Sequence, residues 1–246
     1  MKRNLRRWIM CVSVFLALCI SNTVGAEEKT GQDNEVSKKA AVSQYDESIK
    51  RAVNAPMYNY YAQKIKEKTG IIKGVCLDVG SGGGYLGLAL VKITDLDFIF
   101  LDISPEAIEK VKANIVADGL QKRARTIVAD VHKIPLPDGS VNLVISRGSI
   151  PFWKDPGTAF KEIYRVLAPG GKAYIGGGKG TPEIQAQIAA KRKELGMEPQ
   201  FKLNLDKDAK VKGPRKFPPR DYNEILKGTG ITTYTANKGE WILIWK

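Results

Sequence analysis

Histidine and cysteine are scarce in this chain of 246 residues. It holds one histidine, His132, and three cysteines, two of which, Cys11 and Cys19, fall within the first 26 residues. Cys76 is then the only cysteine of the remainder, which excludes an internal disulfide and a cysteine-rich metal site; no metal is expected. Acids are also in deficit, with 26 Asp and Glu against 39 Lys and Arg and a formal net charge of +13. The apolar run Trp8 to Ile20 is shorter than the roughly 20 residues a helix needs to span a bilayer. Basic stretches lack the interleaved aromatics of a single-strand nucleic-acid surface, so no nucleic acid is expected.

What is present begins with a separate N-terminal segment. Lys2, Arg3, Arg6 and Arg7 precede the apolar run, and small residues end it at Val24-Gly25-Ala26. That layout is a secretory signal peptide over residues 1–26, so export to a periplasmic or extracellular location is expected, with an uncleaved N-terminal anchor as the alternative. Cleavage removes four positive charges and leaves +9. Residues 27–43 are polar, alternate in charge and show no apolar period, and read as a flexible linker. Residues 44–246 read as one domain.

From Gln44 the pattern suggests two helices broken near Pro56, with Tyr58, Tyr61 and Ile65 on one buried face. Short apolar runs then alternate with helical patterns. "GVCLDVG", "FIFLDIS", "ARTIVAD", "VNLVISRG" and "KAYIGGG" are strands; "GGYLGLALVKIT", "SPEAIEKVKANIVADG" and "DPGTAFKEIYRVLAPGG" are helices. Two more helices, "PEIQAQIAAKRKELG" and "PPRDYNEILKGTG", precede a closing hairpin that turns at Asn237-Lys238-Gly239. Repeated βα units imply a mainly parallel sheet with helices on both faces, to which the hairpin adds an antiparallel strand.

"VCLDVGSGGGYLG" carries the chemistry. Strand, glycine loop and helix together make a nucleotide-type cofactor site, because backbone N–H groups at the helix start face the ligand and glycine lets it approach. The dinucleotide pattern G-x-G-x-x-G fails at Tyr85, which argues against a nicotinamide-dependent dehydrogenase. The pattern that fits is D-x-G-x-G-x-G through Asp78, Gly80, Gly82 and Gly84. An acid two residues before the first glycine suits a ligand with a cationic amino group. Asp102 ends the next strand, where a carboxylate takes the two hydroxyls of a ribose.

With "LDVGSGGG", "FLDIS", "VADVHKIPLPDGSVNLVISRGSIPFWKDP" and "FKEIYRVLAPGGKAYIGG" in this order, the chain resembles the class I S-adenosylmethionine-dependent methyltransferases, in particular the small-molecule branch that includes ubiquinone and menaquinone biosynthesis enzymes. The resemblance implies an α/β, Rossmann-like methyltransferase fold: a mainly parallel seven-stranded sheet with a C-terminal antiparallel hairpin and helices on both faces. It also implies S-adenosyl-L-methionine as cofactor. Asp78, Gly80, Ser81, Gly82 and Gly84 would hold the methionine end, Asp102 the ribose, Ile103 one face of the adenine, and Asp130 with Val131 the adenine edge. Ser146 and Arg147 would line the methyl side, and Pro169-Gly170-Gly171 is the turn into the fifth strand. Two departures stand out: Asn142 opens the fourth strand where many relatives have Asp, and "SRGSIPFW" replaces a histidine-rich stretch.

Methyl transfer from a sulfonium is an in-line displacement in which the protein positions reactants and excludes water. His132 is the one candidate for a histidine base, against the plainer reading of an exposed loop residue. Arg147 is the candidate partner of an acidic acceptor, against a salt bridge at the strand end. Lys191 to Arg220 carries ten Lys and Arg against four acids, in the place where relatives carry their substrate lid (181–220). It reads as a lid for an anionic or membrane-surface substrate, or as a solvated face. An exported address conflicts with a cofactor made in the cytosol, which leaves a rival from another class: an exported protein that binds S-adenosylmethionine or a nucleoside without turnover.

Overall fold

A computed structural model describes residues 30–197, 220–236 and 241–246, with residues 30–47 described by their backbone only. The expected signal segment 1–26, most of the basic stretch (198–219) and the hairpin turn at 237–239 lie outside the described residues. The chain divides into two units, Met1–Ser48 and Ile49–Lys246. In the first, the described part is the N-terminal stretch of one helix. The packing and the site described below concern the second.

Seven strands form one sheet: β1 (Lys73–Val79), β2 (Asp95–Asp102), β3 (Ala124–Val128), β4 (Val141–Arg147), β5 (Leu167–Gly176), β6 (Tyr234–Thr235) and β7 (Ile242–Trp245), in the order β3-β2-β1-β4-β5-β7-β6. Pairing is parallel from β3 through β5, and β7 joins β5 and β6 antiparallel. The central strands β1, β2, β4 and β5 bury residues on both faces, as a parallel sheet requires. Cys76, Phe98, Phe100, Leu143 and Ile145 face one side. Leu77, Val79, Ile99, Leu101 and Val144 face the other, by simple period-two alternation.

The helices are α1 (Thr30–Thr69), α2 (Tyr85–Val91), α3 (Pro105–Ala117), α4 (Pro156–Val166), α5 (Pro182–Glu194) and α6 (Tyr222–Lys227). Residues of α1, α2, α3 and α5 pack on the Phe98 and Phe100 face; those of α4 and α6 pack on the other. Side chains start several of them: Ser104, Asp155, Thr181 and Asp221 each accept a backbone N–H of the first turn, with proline in the first turn of α3, α4 and α5.

Three local expectations need correction. The segment expected as a linker (27–43) is helical from Thr30; a missing apolar period rules out a buried face but not a helix. The expected break near Pro56 is absent: α1 runs through the proline. Val53, Met57, Tyr61 and Ile65 recur every fourth residue and are all buried, so packing outweighs the hydrogen bond that proline removes. The fifth strand starts earlier than expected, at Leu167. Leu167 pairs with Val141 and Lys172 with Leu143, so Pro169-Gly170-Gly171 swings out as a bulge within the strand.

Candidate functional site

The strand order reverses between β1 and β4, and ligands of open α/β sheets bind outside the C-terminal strand ends at such a point. A cavity of about 590 Å³ lies there, walled on one side by Asp102, Ile103, Asp130 and Val131 and on the other by Arg147 and the turn that follows β4.

The glycine loop turns sharply over the end of β2. The N–H groups of Gly80 and Ser81 both donate to the Leu101 carbonyl, at 2.8 and 3.1 Å. At Gly80 a Cβ would fall 2.5 Å from that of Ser149, so only glycine lets the two segments pass. Gly84 is left-handed (φ 74°) and starts α2, where a Cβ would press on Phe100 and Val111 at 3.2 Å. Gly82 N–H donates to Asp102 Oδ2 at 2.9 Å and Ser104 N–H to Oδ1 at 3.0 Å. The carboxylate is thus oriented from both sides, and each oxygen keeps a lone pair for a ribose hydroxyl. Beside it Ile103 is 67% exposed on the cavity wall.

Five expected site residues are not part of the cavity lining: Ser81, Gly82 and Gly84 of the glycine loop, and Asp78 and Ser146. Asp78 is buried beneath the loop and accepts the N–H of Gly87 at 3.2 Å. Burial pushes its carboxyl up to about 7, against the pull of the Gly87 N–H, and the nearby Asp102 charge adds to the rise. Ser146 is fully buried, and its hydroxyl donates to the Val79 carbonyl at 2.7 Å. Both sit one layer behind the wall. Asn142, the departure at the start of β4, accepts the Val75 N–H at 2.8 Å at the far end of the strand pair, away from the site.

The loop between β3 and β4 carries Asp130, Val131 and His132 into the cavity. His132 N–H and Nδ1–H both point at Asp130 Oδ1, and these bonds hold the Asp130 carboxyl below the usual range. Nε2 of His132 accepts the N–H of Asp155 at 3.1 Å. Both ring nitrogens are therefore engaged, which leaves no lone pair for a base. The same loop is tied to α4 further along. Arg165 donates to the carbonyls of Ile134 and Leu136 at 2.8 and 2.9 Å and pairs with Glu162 and Asp138, while Glu162 accepts the Ile134 N–H.

Arg147 ends β4 and lines the cavity. Its Nη2 donates to the Gly178 carbonyl at 2.6 Å and approaches Met57 Sδ at 2.9 Å. The guanidinium carbon stands 5.4 and 5.5 Å from the ring centres of Tyr58 and Tyr61. No carboxylate pairs with it among the described residues, and Nε is buried without a hydrogen-bond partner. Tyr61 in turn accepts the Gly180 N–H at 3.1 Å, so α1 is pinned to the segment after β5. The helical spacing of Tyr58 and Tyr61 was visible in the sequence; their partner Arg147 was not. Ser149, Trp153 and Lys154 complete the wall after β4; the departing stretch "SRGSIPFW" contains Ser149 but assigns it no role.

The residues present fit S-adenosylmethionine. Asp102 offers free lone pairs at a strand end, Ile103 an exposed apolar face, and Ser81 a buried hydroxyl with no hydrogen-bond partner. Among the described residues no cluster of His, Cys, Asp and Glu that could hold a metal occurs, and no helix is long and apolar enough to cross a membrane.

A family model described as "Methyltransferase domain" matches residues 77–175. The chain is 37% identical over 173 residues to 2-methyl-6-phytyl-1,4-hydroquinone methyltransferase 2 of Oryza sativa subsp. japonica, covering 67% of this chain and 48% of that protein. It is 34% identical over 165 residues to malonyl-[acyl-carrier protein] O-methyltransferase of Halorhodospira halophila, covering 67% and 54%. The chain thus spans about half the length of these curated relatives, and under a third of two further hydroquinone methyltransferases. A solved structure from Methanococcus maripaludis, assigned to the S-adenosyl-L-methionine-dependent methyltransferases, superposes with a TM-score of 0.67 at 34% identity, covering 92% of this chain and 97% of that one. Sequence, sheet order and cofactor cavity agree, and this chain belongs to the class I S-adenosylmethionine-dependent methyltransferases.

Proposed function

We propose that this protein transfers the methyl group of S-adenosylmethionine to a small-molecule acceptor that carries an anionic group. The cofactor supplies an activated methyl group, so the chain's own task is to position two molecules and exclude water. Asp102 takes the ribose hydroxyls, Ile103 packs on the adenine, and the free oxygen of Asp130 accepts from the adenine amino group. His132 holds Asp130 in place and takes no proton. His132 is then not free to take a proton from the acceptor, which suits a nucleophile that is already anionic or soft.

The observation that carries the acceptor class is Arg147. Arg147 is a lining residue of the cavity, and its guanidinium, held by the Gly178 carbonyl near two tyrosine rings, has no acidic partner among the described residues, which supports a role in binding a carboxylate or phosphate. Among the relatives, the malonyl O-methyltransferase by its name acts on a group whose free end is a carboxylate, which supports this reading. The rival reading, binding without turnover, is not favoured, since the relatives are named as enzymes. Export rests on the basic start and the Val24-Gly25-Ala26 site alone, and N-terminal sequencing of the protein from its host should begin at Glu27; an intact Met1 on cytosolic material refutes it.

The test is transfer from labelled S-adenosylmethionine to a library of anionic, neutral and cationic small molecules. Anionic acceptors should dominate. Arg147→Met should lower kcat/KM for them about 10- to 1000-fold, on the order of 1.4–4 kcal/mol, with little change in cofactor affinity. Transfer confined to cationic amines contradicts the proposal.

A further inference from the structure

Ser149 opens the 3-10 turn Ile150–Phe152 after β4, in the N-cap position, yet its side chain makes no cap hydrogen bond. A capping serine typically contributes about 1 kcal/mol, so this hydroxyl forgoes its local partner. It turns instead to Ser146, at 2.5 Å between the two oxygens. The direction of that bond follows from what lies behind it. Ser146 Oγ donates its only hydrogen to the Val79 carbonyl, which can only accept. Ser149 must therefore donate to Ser146, and its own hydrogen is spent. What remains is an oxygen with lone pairs and no proton to offer.

That oxygen is at the cavity wall. Ser149 lines the cavity together with Gly80, and a Cβ on Gly80 would lie 3.0 Å from Ser149 Oγ. A fixed acceptor calls for a donor from the ligand. The charges around it decide which donor. Arg147 stands two residues before Ser149 in the chain and lines the same cavity, as does Lys154; the acids of the lining, Asp102 and Asp130, end β2 and follow β3, and the Asp130 carboxylate is already engaged by His132 and lies near Lys154. A cationic ammonium is disfavoured beside two cations, whereas an O–H or N–H on a neutral or anionic molecule is not.

Building on the methyltransferase reading above, we propose that Ser149 is a specificity-determining residue for the methyl acceptor: its Oγ accepts a hydrogen bond from a hydroxyl or N–H of that molecule and orients it. Ser146 is a positioning residue that acts through Ser149 by fixing the direction of its hydrogen.

The test uses the full protein saturated with S-adenosylhomocysteine and calorimetric titration of matched pairs: phenol and anisole, 4-hydroxybenzoate and 4-methoxybenzoate, hydroquinone and 1,4-dimethoxybenzene. Each ether can only accept where its phenol can donate. Wild type should favour the hydroxyl member of at least one pair about five- to tenfold, as expected for one hydrogen bond. Ser149→Ala should bring that ratio to within about twofold, at unchanged S-adenosylhomocysteine affinity. Ser146→Ala should narrow it too, by strengthening the ether, because Ser149 then regains a hydrogen to donate. A merely structural serine would lower the melting temperature and leave the ratio alone. The proposal is overturned if no pair favours the hydroxyl in wild type, or if the preference survives Ser149→Ala. It is equally overturned if Ser149→Ala weakens S-adenosylhomocysteine instead, which would assign the oxygen to the cofactor's amino group. Failure of wild type to bind S-adenosylhomocysteine at all would remove the methyltransferase reading itself, a separate result.

Discussion

Nε2 of His132 accepts the backbone N–H of Asp155 at 3.1 Å, and the side chain of Asp155 accepts the N–H of Thr158 at the start of α4. The one imidazole of the chain is thus a strut between the loop that carries Asp130 and the helix behind it. His132→Ala should cost about 1–2 kcal/mol of stability, from one orphaned N–H and one lost carboxylate contact. Turnover should fall less than tenfold, with no lost inflection in its pH profile. A loss of a thousandfold in kcat at intact cofactor affinity would restore His132 as the base.

Asp78 links stability to pH. Its carboxyl is raised by burial from 3.8 to about 7 in the folded protein, so the folded state binds the proton more tightly than the unfolded chain does. This contribution is complete below about pH 4 and is lost as pH rises through about 7, a change on the order of 4 kcal/mol. Asp78→Asn keeps an oxygen for the Gly87 N–H and carries no charge. It should flatten the profile of stability against pH between 4 and 7, and at pH 8 the variant should unfold at higher denaturant than wild type. Parallel profiles for the two proteins would show that Asp78 stays ionised.

Asp102 holds the loop through Gly82 and Ser104 and is the residue proposed above to take the ribose. Asp102→Ala should weaken S-adenosylhomocysteine by roughly 2–4 kcal/mol, the loss of one or two charged hydrogen bonds. NAD should bind poorly to wild type and variant alike. Calorimetry reads both, and equal or tighter binding of NAD to wild type would contradict the assignment.

Gly178 and Tyr61 should be energetically coupled. A Cβ at Gly178 would stand 2.6 Å from the Tyr61 hydroxyl, and φ is +133° there. Gly178→Ala carries both the backbone strain and the clash; in a Tyr61→Phe background only the strain remains. A double-mutant cycle by chemical denaturation should return a coupling of about 1–2 kcal/mol, and a value near zero would mean that α1 shifts freely to make room.

The parts of the fold legible in the sequence were those written locally. Alternating apolar runs and helical patterns announced the sheet, and Gly80, Gly84 and Asp102 stand where strand ends put them, because a turn's steric needs and a strand's last residue are short-range facts. What was not legible depends on distant partners. The engagement of His132 needed Asp155, 23 residues away. The packing that carries α1 through Pro56 comes from Val53, Met57 and Tyr61 against the sheet. The direction of the Ser149 hydrogen depends on Val79, across two strands. No spacing rule contains such information.

The loop that bears Asp130 takes its shape from α4: Asp155 at the helix start, then Glu162, then Arg165, each hold a different part of it. If Asp130 holds the adenine edge, as proposed above, its placement is delegated to a helix none of whose residues lines the cavity. Grafting the loop alone onto a relative would transplant its letters without its conformation; loop and helix form one heritable module. Drift on the outer face of α4 is free, whereas loss of the Glu162 or Arg165 side chain removes bonds to the loop that bears Asp130; Asp155 holds His132 through its backbone N–H, and its side chain serves the cap of α4.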